Sequence, residues 1–159
     1  MTIMRTLLCA TAIARLPPVI RTRDGLIQGL ATDHVRSFRG IPFAAPPVAG
    51  LRWRPPQPVT KWEGVRDASN YRHNCMQTAD FDPAQPRSTL SEDCLYLNVF
   101  TPPARANDSL PVLFWVHGGG YTGGGANESR LNGTWLPTDG YECVVVTTNY
   151  RLNIFGFLG

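Results

Sequence analysis

The sequence VLFWVHGGGYTGGG at residues 112–125 joins an uninterrupted apolar run to two groups of three glycines. A five-residue apolar run bounded by proline and glycine is typical of a β-strand that is covered on both faces. A second run of the same length, Val144 to Thr148, is β-branched throughout. Both runs are therefore predicted to lie in the middle of a sheet. Residues 95–100 alternate apolar and polar side chains and predict a third strand.

The glycines that follow the first of these strands carry the chemistry of the sequence. Without Cβ atoms, the backbone turns sharply and presents amide donors at close range to a ligand. Such donors hold either a phosphate or the oxyanion formed during acyl transfer. A phosphate loop needs Lys-Ser/Thr after the glycines or a helix that they open, but Ala126-Asn127 follows and the helix pattern is weak. His-Gly-Gly-Gly after a strand is an oxyanion-hole motif of lipases and esterases.

The remaining patterns predict short elements separated by turns. Residues 26–38 predict an antiparallel β-hairpin around Thr32 and Asp33. Between Gly40 and Pro58, six prolines alternate with large apolar residues, which predicts irregular backbone lying on a core. Only residues 127–136 have the pattern of a short interior helix.

Composition excludes several classes of protein. Of the 159 residues, 43% are hydrophobic and 17% are charged, which excludes a disordered or coiled-coil chain. The 15 glycines and 14 prolines exclude an all-helical bundle. The formal net charge is +3, but the basic residues form no run, so nucleic acid is not a predicted partner. No apolar stretch reaches the roughly 18 residues that a membrane span requires. Fourteen of the basic residues are arginine, a skew consistent with GC-rich coding or with arginines held in planar pairs.

Residues 1–17 are interpreted as a signal peptide or an N-terminal extension. A positive charge precedes a short apolar run, and Ala12-Ile13-Ala14 has the small-x-small form of a cleavage site. Three sequons, at Asn107, Asn127 and Asn132, would accept glycans in a secreted protein. We therefore expect a secreted or extracellular location.

Four cysteines stand at positions 9, 75, 94 and 143. If Cys9 leaves with a signal peptide, one pair and one odd thiol is the simplest count. Cys75 and Cys94 enclose a polar stretch, the type of loop whose entropy a crosslink would restrict by about 3 kcal/mol. Cys143 begins an apolar run and is expected to be an inert core residue.

Six motifs occur in an order that resembles a known family. They are Gly25 to Gly29, Phe38 to Ala44 with Pro46 and Pro47, Leu51 to Trp53, Ser91 to Asn98, the His117 glycine loop, and Asn149 to Leu152 with Phe155 to Leu158. With these motifs the chain resembles the amino-terminal part of a type-B carboxylesterase, a family that includes cholinesterases and several lipases. The resemblance implies an α/β fold of the α/β-hydrolase type. The chain would contain only the N-terminal β-hairpin and the first central strands, and so an incomplete sheet.

Carried onto this sequence, the resemblance implies that Gly119 and Gly120 donate two oxyanion-hole amides. His117, Gly118 and Tyr121 would form the supporting loop, with His117 as a loop-shaping residue and not the catalytic base. The implied partner is a small-molecule carboxylic ester, and the family's mechanism uses no organic cofactor and no metal.

The resemblance also implies a disulfide and a substrate preference. Cys75 and Cys94 would form the family's first disulfide. Ala84 stands where cholinesterases place a tryptophan that binds quaternary ammonium, so choline esters are not the expected substrates. A general carboxylic ester or an acylglycerol is expected instead.

The catalytic serine, acid and histidine base of the family are not expected in this chain. Acyl transfer needs a serine on a Gly-x-Ser-x-Gly elbow, and no serine of this sequence has those flanking glycines. Residues 18–159 are therefore interpreted as the truncated N-terminal portion of a carboxylesterase type-B domain. Alone, this portion is predicted to be inactive and poorly folded, because its buried strands need covering helices.

Two other interpretations remain open at this point. A catalytically inactive adhesion relative, such as a neuroligin, has the same fold and binds partners through it. A small disulfide-stapled module with a function of its own would instead unfold cooperatively as an isolated chain. The sequence makes no prediction of the oligomeric state.

Overall fold

The computed structural model describes residues 16–78, 90–103, 109–128 and 132–157. Within these ranges the chain forms ten short strands in three sheets, two one-turn helices and a 3-10 turn at Ala49–Leu51. The strands are β1 (Val19–Arg21), β2 (Leu26–Gln28), β3 (Leu30–Ala31), β4 (Arg36–Pro42), β5 (Val65–Asp67), β6 (Asn74–Cys75), β7 (Leu90–Ser91), β8 (Tyr96–Thr101), β9 (Val112–Val116) and β10 (Val144–Thr148). The helices are α1 (Trp135–Thr138) and α2 (Asn153–Gly156).

The largest sheet has the strand order β3-β4-β8-β10-β9. Strands β9 and β10 are parallel, whereas the other neighbouring pairs are antiparallel. The carboxyl ends of parallel strands meet at the same edge of a sheet. The segment after β9, residues 117–128, therefore lies beside the segment after β10, residues 149–157.

Both apolar runs are predicted to be strands in the middle of a sheet. Their bounds and the central position of β10 are confirmed, but the central position is wrong for β9. Strand β10 lies between β8 and β9. Within the described residues β9 pairs only with β10, and its five side chains are 44–63% exposed. The apolar pattern of β9 is suited to burial on both faces, and the described residues supply no neighbour beyond it.

The predicted hairpin is confirmed at its turn and corrected in its first arm. Leu30 pairs with Ser37 and Ala31 with Arg36, so β3 and β4 form the hairpin. Residues Leu26–Gln28 belong instead to a separate sheet with β1 and β5. The change of sheet occurs at Gly29, where a Cβ atom would collide with the carbonyl oxygen of Ser37.

Two other expectations are correct only in part. Of the range 127–136, only Trp135 and Leu136 are helical, and residues 129–131 lie outside the described residues. In the proline-rich segment Ala44 is buried, but Trp53 is 57% exposed, so only part of this segment lies on a core.

The buried apolar residues form three small clusters. They centre on Leu95 and Leu152, on Ile27 and Phe38, and on Phe100 and Val145. The disulfide Cys75–Cys94 lies in the first cluster, which confirms the predicted pairing. Cys143 is a free thiol that packs against the third cluster but is partly exposed, so the expectation of a core residue is too strong.

Several arginine guanidinium groups lie over aromatic rings. The distance from guanidinium carbon to ring centroid is 4.8–5.7 Å for Arg39 over Tyr71, Arg66 over Trp62 and Arg52 over Trp53. Arg52 also makes a bidentate pair with Glu92. Forked hydrogen bonding is a property of arginine and not of lysine. The Arg52–Glu92 pair agrees with the planar-pair interpretation of the arginine skew.

Candidate active site

The glycine loop begins directly after β9, with His117. This residue is 4% exposed, its ring stacks on Tyr150 at a centroid distance of 4.4 Å, and the Tyr150 hydroxyl donates to the His117 carbonyl oxygen at 2.8 Å. Tyr150 follows β10, so the parallel strand pair brings the two rings together. The start of the loop is thus fixed by the neighbouring strand.

The imidazole of His117 sets the direction of the first peptide group of interest. Its Nδ1 lies 2.8 Å from the Gly118 carbonyl oxygen. Because a carbonyl oxygen only accepts, Nδ1 carries the proton of this hydrogen bond. In a trans peptide the carbonyl and the following N–H point in opposite directions. The Gly119 N–H therefore points away from His117.

The next peptide group is fixed in the same way. The Gly119 carbonyl oxygen accepts from the Thr122 amide at 3.0 Å, the Thr122 hydroxyl at 3.1 Å and the Gly123 amide at 3.3 Å. The Gly120 N–H consequently points in the opposite direction. Gly119 and Gly120 have φ angles of 122° and 60°, which side-chain-bearing residues rarely adopt. Two glycines in succession are what this turn requires.

Neither the Gly119 amide nor the Gly120 amide donates to another group among the described residues. Both glycines line an open pocket of about 460 Å³. The other lining residues are Val116, His117, Gly118, Tyr121, Tyr150 and Phe157. Apart from these backbone amides the pocket wall is largely aromatic. It can accept a small anionic group on the amides beside an apolar wall.

Burial lowers the pKa of His117, and the hydrogen bond to Gly118 and the charge of Glu128 oppose that shift. The ring is therefore neutral at pH 7, with its proton on Nδ1. Its Nδ1 binds the loop at Gly118 and its ring stacks on Tyr150, which supports a loop-shaping role. A Cβ atom on Gly124 would collide with this ring, so the later glycines of the loop make room for it.

The far side of the loop rests on buried side-chain amides that the sequence patterns missed. Asn149 accepts from the Ala126 amide at 2.8 Å and donates to the carbonyls of His73 and Cys94. Asn98 donates to the Ala126 carbonyl at 3.2 Å. Both asparagines stand in family-like motifs, but no local pattern marked either residue as a support of the loop.

Other predicted site residues lie outside this pocket or outside the described residues. The described serines, Ser37, Ser69, Ser91 and Ser109, do not line it. Asn127 donates to the Arg72 carbonyl, and the side-chain oxygen of Asn132 accepts from the Thr134 amide. Asn107 and Ala84 fall in stretches that are not described.

In the described ranges no three His, Cys, Asp or Glu residues are grouped to hold a metal ion, and no helix is long and apolar enough to cross a membrane.

Solved structures with the same fold are carboxylesterases of the α/β-hydrolase type. A thermophilic PNB esterase matches with a TM-score of 0.82 at 38% identity, covering 91% of this chain and 30% of that chain. A carboxylesterase of Geobacillus stearothermophilus matches with a TM-score of 0.77 at 41% identity, covering 88% of this chain and 27% of that chain.

The carboxylesterase family model matches residues 16–159, and the chain belongs to that family. It is 43% identical to the fumonisin B1 esterase of Sphingopyxis macrogoltabida, over 89% of this chain and 26% of the relative. The para-nitrobenzyl esterase of Bacillus subtilis is 41% identical over 88% of this chain and 29% of the relative. The acetylcholinesterase of Bungarus fasciatus is 39% identical over 88% of this chain and 25% of the relative. The chain thus spans less than a third of the length of these relatives.

Proposed function

We propose that this chain supplies the oxyanion-binding part of a serine carboxylic ester hydrolase. In that reaction a serine attacks the carbonyl carbon of the ester. The carbonyl oxygen then becomes an alkoxide in the tetrahedral intermediate that precedes the acyl-serine. The Gly119 and Gly120 amides would donate to this oxygen. The observation that carries the proposal is that both amides are without a partner in the described structure and line one pocket. Fixed donors of this kind each contribute about 10²- to 10³-fold to turnover.

The chain alone is proposed to be inactive. Its sequence has no Gly-x-Ser-x-Gly elbow, and the described pocket wall includes no serine and no carboxylate. The one histidine of the described pocket wall, His117, is hydrogen-bonded to the loop and stacked on Tyr150. The nucleophile, acid and base would come from polypeptide that the relatives have beyond the matched region.

The proposed substrates are uncharged carboxylic esters, such as general alkyl or aryl esters or acylglycerols. The described pocket wall supports this choice because it includes no acidic side chain that would pair with a cationic alcohol, and Ala84 stands where cholinesterases place the tryptophan that binds quaternary ammonium. A non-catalytic binding protein with the same fold is the alternative. The partnerless amides disfavour it, since a binding scaffold has no need of oxyanion donors.

A secreted protein with a cleaved or extended segment at residues 1–17 is also proposed. The buried Cys75–Cys94 disulfide supports an oxidising compartment. Glycans would attach at Asn107, Asn127 or Asn132. Mass spectrometry of the protein secreted from a eukaryotic host would show a new N-terminus near residue 17 and the occupied sequons; an intact, unmodified chain retained in the cell would contradict this proposal.

A hybrid enzyme tests the catalytic proposal. In the hybrid, residues 16–159 replace the matching segment of the Bacillus subtilis para-nitrobenzyl esterase, which supplies the rest of the domain. We expect the hybrid to hydrolyse a 4-nitrophenyl ester well above the uncatalysed rate. A hybrid that unfolds cooperatively yet hydrolyses no ester would contradict the proposal and favour the binding alternative.

The variant Gly120→Ala tests the amide itself. Alanine is strained at a φ of 60°, so the peptide rotates and kcat is expected to fall about 100-fold. Gly64→Ala is the matched control, because Gly64 has a similar φ of 72° and the same open space but lies outside the pocket. The control is expected to lose a similar amount of stability and no turnover. Equal losses of kcat in the two variants would contradict the assigned role.

A further inference from the structure

The glycine loop is held from the disulfide side by one side chain, Gln77. The Oε1 of Gln77 accepts from the Gly124 amide at 2.8 Å, and its Nε2 donates to the Gly124 carbonyl at 2.8 Å. The same Nε2 donates to the Cys75 carbonyl at 3.1 Å. Gln77 thus binds both backbone groups of Gly124 as a neighbouring strand would. Through Cys75 this contact is tied to the covalent crosslink.

A second side chain, Asn153, holds the loop from the β10 side. Its backbone amide donates to the Tyr121 carbonyl at 2.9 Å, and its Nδ2 donates to the Thr122 carbonyl at 2.9 Å. Asn153 has a φ of 53°, a left-handed conformation that asparagine tolerates better than most residues. Its Nδ2 also lies 3.5 Å from the carbonyl oxygen of Met76, beside Gln77. The two amide side chains therefore hydrogen-bond to the loop at neighbouring residues, Gly124 and Thr122.

These contacts act on the groups that orient the free amides. Thr122 supplies two of the donors that turn the Gly119 carbonyl inward, so its position determines where the Gly120 N–H points. Asn153 fixes the carbonyl of Thr122, and Gln77 fixes the end of the turn at Gly124. Displacing a donor by a fraction of an ångström weakens oxyanion binding, because hydrogen bonds depend steeply on distance and angle.

We propose that Gln77 and Asn153 are positioning residues that hold the Gly119 and Gly120 amides in the geometry that an oxyanion requires. The inference rests on the proposed ester hydrolase function. Neither side chain lines the pocket, so each acts through the loop and not on the substrate.

The test uses the hybrid enzyme with two single substitutions that remove side-chain hydrogen bonds. Asn153→Gly keeps the left-handed backbone and the amide donor to Tyr121, and removes only the side-chain hydrogen bonds. Gln77→Leu keeps the approximate size of the side chain and removes its polar atoms. Gln57→Leu is the matched control, because the side-chain amide of Gln57 is exposed and, among the described residues, donates only to the carbonyl of Pro55, two residues away.

We expect kcat to fall about 10-fold in Asn153→Gly and in Gln77→Leu, with KM within about twofold, because the loss falls on the transition state. The affinity for a trifluoromethyl ketone that forms a tetrahedral adduct is expected to fall by the same factor. Amide hydrogen exchange of the peptide containing residues 118–125 is expected to become faster. Gln57→Leu is expected to change none of these quantities.

Two results would overturn the inference: a kcat and an exchange rate equal to those of Gln57→Leu, or a rise in KM alone. If Gln77→Leu does not fold, Gln77→Glu replaces it. Glutamate keeps the acceptor for the Gly124 amide and loses the donor to the Gly124 carbonyl, so faster exchange and an intermediate kcat are expected. An unsubstituted hybrid without esterase activity would refute the proposed function, and the exchange rates would still decide whether the two side chains hold the loop.

Discussion

At the scale of single residues, the imidazole of His117 orients the first peptide group of the glycine loop through one hydrogen bond. Because it binds the Gly118 carbonyl, the following N–H points away from the ring. A neutral ring with the proton on Nδ1 suffices for this task, and burial favours the neutral form. These contacts are those of a residue that shapes the loop, which is the role proposed for His117.

The lowered pKa of His117 predicts a pH dependence of stability. In the unfolded chain a histidine titrates near pH 6.5, whereas the folded chain binds this proton only at lower pH. Below about pH 6.5 the unfolded state thus binds more protons, and stability falls until the folded pKa is passed. We expect the free energy of unfolding of the hybrid to decrease between pH 7.5 and 5.5, and less so in His117→Gln. An identical decrease in both proteins would contradict this expectation.

The residues of the site differ in how far the sequence predicted them. The glycine loop is a local signal, because successive glycines after a strand have few other uses. Gln77, Asn149 and Asn153 find their partners 47, 76 and 31 residues away along the chain. A single asparagine or glutamine carries no periodic pattern, so only the folded backbone reveals what it supports.

At the scale of elements, β9 is an apolar strand that lies exposed at the edge of its sheet. Its edge carries no charged residue, and its side chains are exposed on both faces. Natural edge strands are usually protected by charge, proline or a bulge. The apolar run and its bounds could be predicted from sequence, but its place in the sheet could not, because that depends on which other strands are present.

The exposed edge of β9 predicts self-association of the 159-residue chain. Pairing of edges removes apolar surface from water and satisfies free backbone groups. We expect light scattering to show oligomers, and Trp115→Lys to reduce them by placing a charge on the edge. Val19→Lys, on the exposed edge strand β1, is the control and is expected to leave association unchanged. A monomeric unsubstituted chain, or equal effects of the two lysines, would contradict this prediction.

At the scale of the whole molecule, the described residues form three small buried clusters where a domain usually has one contiguous core. A cooperative transition depends on a core that is lost all at once. The chain matches less than a third of the length of its relatives, and the described residues leave β9 exposed on both faces.

Calorimetry of the isolated chain checks this view. We expect no cooperative heat absorption from the 159-residue chain and a single clear transition from the hybrid. A sharp transition of the isolated chain would contradict the partial-domain interpretation and favour a self-sufficient, disulfide-stapled module.

The most direct test of the central claim is a crystal structure of the hybrid with a trifluoromethyl ketone bound to its catalytic serine. The account predicts that the adduct oxygen lies about 2.7–3.1 Å from the backbone nitrogens of both Gly119 and Gly120. An adduct oxygen bound elsewhere, or amides of these two glycines turned toward protein carbonyls, would contradict it.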